Sequence, residues 1–178
     1  GEIIGEGWHV RAGEFHAERV ALKQAGSKSQ GANAFVTLEP CSHTGRTGPC
    51  ADELIKAGVV RVVCAVLDPN PKVAGTGIRR LKTAGIEVVL GVLEQSAVAL
   101  NSGYFSRMTR TRPLIRSKLA VSLDGRTALA GGESQWITGE AARADVHRWR
   151  ARSSAIVTGV GTVLADNPSL NVRLEDVD

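Results

Sequence analysis

Long apolar runs are missing from this chain. Nothing approaches the roughly 20 residues that a membrane-crossing helix needs, and the opening Gly-Glu is neither basic nor greasy as a secretory leader would be. Membrane spanning and secretion are therefore not expected. Cysteine is scarce, with three in 178 residues. The number is odd and the spacing uneven, which excludes a disulfide framework and points to a reducing compartment, the cytoplasm by default, and to metal or catalytic work. Aromatic residues make up 4% and no Lys/Arg-rich block occurs, so the net charge of +4 is read as an ordinary solvated surface rather than a nucleic-acid footprint. The 20 glycines follow no collagen-like period, and there is no internal repeat or low-complexity tract. What remains is the composition of a folded chain, 43% hydrophobic and 22% charged. Its length suits one domain, or one and part of a second.

The hydrophobic rhythm alternates between strand and helix. Residues 2–10 read as a strand and residues 15–25 as a helix closed by Gly26. A short strand follows at 34–38, then a polar loop, then a helix over 50–57 introduced by Pro49 and ended by Gly58. Residues 59–67 are almost unbroken apolar, as in a parallel strand covered on both faces. A loop, a helix over 78–83, a strand over 86–92 and a longer helix over 94–108 complete an α/β pattern. The polar stretch 109–113 marks a boundary near residue 110, giving domains 1–110 and 111–178. In the second, strands are expected at 114–122 and 155–159 and a helix at 140–150. Because the chain starts on a non-Met residue already in strand pattern, its N-terminus reads as cut.

Chemistry concentrates in two short segments. His16 and Glu18 open a helix, and Cys41 and Cys50 frame a Gly-rich polar loop, each preceded by proline. One His and two Cys are three zinc ligands, which leave one tetrahedral position free, the arrangement of a catalytic site. Both thiols must lose their protons to bind, and a helix N-terminus favours the resulting anions. Glu18 at a first turn can take a proton from water at the metal and return it to a leaving group. Two cysteines nine positions apart are also compatible with burial or a disulfide, and His43 between them is either a fourth ligand or a substrate contact. Cys64, inside an apolar run, reads as core.

HAE followed by PC…PC resembles the cytidine-deaminase-like zinc deaminases, although eight residues rather than two separate the thiols. That longer loop, CSHTGRTGPC, with GWH at 7–9, TLEPC at 37–41 and DPNPKVAGTG at 68–77, resembles the deaminase half of the bifunctional riboflavin-biosynthesis deaminase-reductases. KLAVSLDGRTA at 118–128, GESQWITG at 132–139 and VGTVLADNPSLNVR at 160–173 resemble the opening of that family's reductase half.

The resemblance implies a cytidine-deaminase-like three-layer α/β/α domain, lacking its first helix and strand, followed by the start of a dihydrofolate-reductase-like α/β domain. It implies zinc on His16, Cys41 and Cys50, Glu18 as proton shuttle, and His9, His43, Arg46 and Asn70 as substrate contacts. The implied substrate is a diaminopyrimidinone bearing a ribosylamino 5′-phosphate, whose exocyclic amine is replaced hydrolytically. In the second half it implies NADPH, with NADP contacts at Ala120, Trp136, Thr162 and Asp166. Sugar-phosphate contacts would be Ser134, Arg150, Leu170 and Arg173, and the reaction would reduce the ribosyl group to ribityl. The expected partner is thus a small phosphorylated pyrimidine, with no nucleic acid and no membrane, and a homo-oligomer is compatible with this. Two other readings stand beside it: a deaminase acting on extruded nucleic-acid bases, and a non-catalytic module stabilised by zinc.

Overall fold

The structure is a computed structural model that describes residues 1–44 and 48–174. It divides into two units, Gly1–Ile115 and Arg116–Asp178.

Three parallel strands organise the first unit: β1 (Asn33–Val36), β2 (Arg61–Cys64) and β3 (Glu87–Leu90), in the order β1-β2-β3. Their register aligns Ala34 with Val62 and Val88, and Val36 with Cys64 and Leu90, so one face of the sheet is apolar throughout. The central strand is the most buried, as its unbroken apolar run requires. Helices α1 (Ala17–Ala25), α2 (Cys50–Lys56) and α3 (Thr76–Thr83) supply the matching apolar residues. Leu54 and Leu81 are 2% and 0% exposed, and they form the core with Ala51, Val59, Val62 and Ile86. Leu22 of α1 packs against the same cluster.

A second cluster joins Ala65 and Val66, just past β2, to Ala97, Val98 and Phe105. The last three lie on α4 (Glu94–Leu100) and α5 (Ser102–Arg110). One continuous helix was expected here. Asn101 interrupts it, closing α4 through its N–H to Ala97 and opening α5 by accepting from the Phe105 N–H. Asn favours such caps because its side chain competes with the helical ladder.

Residues 2–10 run extended but pair with no strand. Gly5 and Gly7, alternate residues on one side of this segment, lie so close to the backbone of α1 that a Cβ at either would run into the carbonyl oxygen of Ala21 or Ala17. The segment therefore packs on a helix, and the outer edge of β1 has no ladder partner among the described residues.

The second unit contains α6 (Glu140–Ala151) and α7 (Val160–Asp166). The strands expected at 114–122 and 155–159 are not formed, because a strand exists only when a neighbour accepts its ladder bonds, and none of the described residues does so here. Isolated side-chain and turn contacts are found instead. Arg116 lies over the Trp149 ring at 3.6 Å, Trp149 donates to Asp145 at 3.0 Å, and a turn links Ser122 to Arg126 at 2.9 Å. No helix among the described residues is long and apolar enough to cross a membrane.

Candidate metal centre and active site

The first unit's site forms where β1 and β2 run out, at the carboxyl ends of parallel strands, the usual ligand position in open α/β sheets. Beyond β1 the chain continues through Glu39 and Pro40 to Cys41; beyond β2 it reaches Asp68 and Asn70. Two helix starts face the same point. His16 is the N-cap of α1, in extended conformation, with its carbonyl accepting the Arg19 and Val20 N–H groups. Pro49 caps α2, so Cys50 is its first helical residue and is fully buried. The fixed φ of proline directs the chain into the helix with the thiol at its positive end.

These elements bring three donors together. Nδ1 of His16 lies 3.5 Å from the Cys41 sulfur and 3.3 Å from the Cys50 sulfur, and all three ligand atoms are within 4.8 Å of one another. A tetrahedral zinc with Zn–S of about 2.3 Å and Zn–N of about 2.0 Å places nitrogen and sulfur roughly 3.5 Å apart, so the separations and the donor chemistry both fit that ion. His43 is not in the cluster; it lines the adjoining cavity. A fourth protein ligand is thus absent among the described residues, and the disulfide alternative fails because both thiols are free.

Electrostatics of the cluster follow from its crowding. Cys41 is pulled down to about 5, first by its hydrogen bond with the Cys50 thiol and then by the Cys50 N–H, which donates to its sulfur at 3.3 Å, and by His16. Cys50 is pushed up, by holding the proton shared with Cys41, by burial, and by the nearby Glu18 carboxylate. The pair thus sheds one proton readily and keeps the other until a cation replaces it. Burial raises the Glu18 carboxyl above its ordinary range, against the lowering effect of hydrogen bonds from its own backbone and Cys50. A carboxyl poised in this direction suits proton transfer near neutrality.

A cavity of about 1180 Å³ opens beside the cluster and is lined by His9, His16, Glu18, Cys41, His43 and Asn70, among others. His9 Nδ1 donates to the Phe15 carbonyl at 3.1 Å, and its ring meets the His16 ring edge-on at 5.1 Å. Three of the four deaminase-side substrate residues expected from sequence therefore share one cavity with the metal donors and Glu18. The fourth, Arg46, lies outside the described residues. Cys64 stays apart, fully buried, with its thiol donating to the Val66 carbonyl at 3.2 Å.

In the second unit the gathering is partial. Arg150, on α6, donates to the carbonyls of Ser169 and Asn171 at 3.1 Å each, and Arg173 donates to the Ser169 carbonyl at 3.2 Å, so the loop that carries Leu170 and Arg173 is tied to Arg150. Thr162 and Asp166 share α7, four residues apart. Trp136 is 72% exposed under the Arg143 guanidinium. Ser134 is likewise exposed, and no described hydrogen bond joins it, Ala120 or Trp136 to the others. No helix was expected over residues 160–166, because Gly159 and Gly161 mask the apolar spacing of α7.

A His-Cys-Cys cluster with a carboxyl beside it, set on helix starts at the end of a parallel sheet, is the arrangement of the zinc deaminases. Residues 1–66 match the family described as the cytidine and deoxycytidylate deaminase zinc-binding region, and residues 113–178 match the RibD C-terminal domain. Riboflavin biosynthesis protein RibD of Escherichia coli is 58% identical over 178 residues, which are 100% of this chain and 48% of that protein. The Haemophilus influenzae protein of the same name is 57% identical over 176 residues, 99% and 47% of the two chains. Among solved structures, Acinetobacter baumannii RibD (form 1) superposes with a TM-score of 0.90 at 57% identity, covering 98% of this chain and 49% of that one. A Thermotoga maritima diaminohydroxyphosphoribosylaminopyrimidine deaminase/5-amino-6-(5-phosphoribosylamino)uracil reductase gives 0.89 at 42% identity.

The chain belongs to the RibD family of riboflavin-biosynthesis proteins, with a mixed α/β fold that carries a cytidine-deaminase-like region and a RibD C-terminal region. It spans about half the length of the curated relatives it matches.

Proposed function

We propose that residues 1–110 form a zinc-dependent pyrimidine deaminase domain and that residues 111–178 are the N-terminal part of an NADPH-dependent, dihydrofolate-reductase-like domain. The substrate of the first is 2,5-diamino-6-ribosylamino-4(3H)-pyrimidinone 5′-phosphate. Its product is the corresponding uracil, whose ribosyl group the complete second domain reduces to ribityl. The observation that carries this reading is the meeting of His16 Nδ1 and the Cys41 and Cys50 sulfurs within 4.8 Å, with Glu18 in the same cavity.

His16, Cys41 and Cys50 would hold the zinc, which when bound supplies a Lewis acid that makes water nucleophilic near pH 7. Glu18 takes a proton from the attacking water and delivers it to the exocyclic nitrogen, so that one water enters, the C–N bond breaks and ammonia leaves. His9, His43 and Asn70 orient the pyrimidine against that carboxyl, and the phosphate contact is assigned to Arg46, because guanidinium offers paired, permanently charged donors. In the second domain, Ala120, Trp136, Thr162 and Asp166 face NADP. Ser134, Arg150, Leu170 and Arg173 face the sugar phosphate, Arg150 by holding the 169–173 loop in place. The setting is cytoplasmic.

The test pairs elemental analysis with an ammonia-release assay on the phosphorylated diaminopyrimidinone, using the zinc-loaded protein at its full length. One zinc per chain and substrate-dependent ammonia are expected. Zinc-loaded protein that releases none refutes the reading.

A further inference from the structure

Glu39 lies two residues before Cys41 and has no part in the chemistry above, yet it is 3% exposed. Burying a carboxylate is costly unless its lone pairs are matched. Here four backbone N–H groups match them: Oε2 accepts from Asp68 at 3.2 Å and Gly75 at 2.8 Å, and Oε1 accepts from Gly77 at 2.8 Å and Ile78 at 3.2 Å. The last two are among the free amides at the start of α3. One side chain thus holds both ends of the 68–77 loop to the segment that carries a metal ligand. The approach is close, since a Cβ on Gly77 would run into the Pro40 carbonyl oxygen.

The hold continues outward. The Asp68 carboxylate accepts from the Asn70 N–H at 2.8 Å and from the Tyr104 hydroxyl at 2.7 Å, which fixes Asn70 at the cavity wall. Separate contacts also tie the two segments: Ser42 and Thr76 share a hydroxyl bond at 2.6 Å, and Arg80 donates to the Ser42 carbonyl at 2.8 Å. The segments therefore stay together when Glu39 is altered, and what Glu39 adds is their alignment.

We propose that Glu39, acting through Asp68 and Tyr104, is a positioning residue that sets Asn70 at a fixed place relative to the metal cluster. This rests on the reading of Asn70 as a substrate contact. A carboxylate is needed because four donors require an acceptor on both oxygens; the amide of glutamine has the same volume but turns an N–H₂ toward two of them.

The experiment compares wild type with Glu39→Gln in the zinc-loaded, full-length protein. Amide exchange across residues 68–78 should quicken about tenfold while β2 and β3 keep their protection, as expected when buried donors lose their acceptor. Zinc content should hold, and KM should rise about tenfold with kcat changed less than about threefold, the mark of lost substrate binding. Adding Glu39→Gln to Asn70→Ala should raise KM no further, since the two act on one contact. Unaltered exchange, an unaltered KM, or multiplying effects in the double variant would overturn the proposal. If Glu39→Gln does not fold, Tyr104→Phe decides: a KM rise of about threefold supports the relay, and no change overturns it. A wild type that releases no ammonia sinks the proposed function itself, whereas an active wild type with an indifferent Glu39→Gln sinks only this inference.

Discussion

The two units differ in what holds them. In the first, an apolar sheet face and three helices bury Leu54, Leu81 and Val62 almost completely, and the metal donors stand on that frame. In the second, no described residue is buried, and apolar residues such as Leu119, Val157 and Leu164 are 74%, 92% and 82% exposed. The contrast teaches where geometry comes from. Side chains set on packed elements converge on one point, while those of the second unit make isolated ties, such as those of Arg150 and Arg173 to the Ser169 carbonyl.

The largest expected effect lies at the converged site. Glu18→Gln should retain one zinc per chain and lose about 10³-fold or more in ammonia release, because general acid-base transfer contributes on that scale. A structural zinc module would lose nothing, and retained turnover would place the proton shuttle elsewhere. Next in size is the frame itself. Leu81→Ala, at 0% exposure, should cost about 3 kcal/mol in urea unfolding. A loss below about 1 kcal/mol would show that the first unit is packed no better than the second.

Cys64 gives a pH-dependent test of the same burial. Desolvation pushes its thiol up to about 11 from an ordinary 9.0. The folded state then holds the proton more tightly than the unfolded state. The contribution is complete below about pH 9 and is lost as pH rises toward 11, worth about 2 kcal/mol over the window. Wild type should therefore lose more stability between pH 8.5 and 10.5 (roughly the titration range) than Cys64→Ala does, measured by urea midpoint. Equal losses would mean that another group titrates. The smallest effect is expected in the second unit, where Val160→Ala, at 74% exposure, should stay within about 0.5 kcal/mol. A larger cost would reveal packing that the contrast denies.

Local chemistry made half of this legible. Gly26, Pro49 and Gly58 mark the limits of α1 and α2 in the sequence because caps and breakers act on their own neighbours. The donor set was readable because His16, Cys41 and Cys50 stand in polar, turn-rich surroundings where a core role is implausible. Features that depend on distant partners were not readable. α3 begins at Thr76, before the expected residue 78, because Glu39, far back in the chain, accepts its first amides. Nothing in TLEPC alone distinguishes that glutamate from a solvated one. Likewise residues 2–10, 114–122 and 155–159 have strand composition without a ladder, since β-propensity describes a surface to be covered rather than the neighbour that covers it.

The central claim is that three remote side chains share one zinc with an open position. X-ray absorption at the zinc edge of the loaded protein tests it most directly. Two sulfur scatterers at about 2.3 Å with one imidazole nitrogen and one further light atom at about 2.0 Å are predicted. A shell with fewer than two sulfurs, or one closed by a second imidazole, would contradict it.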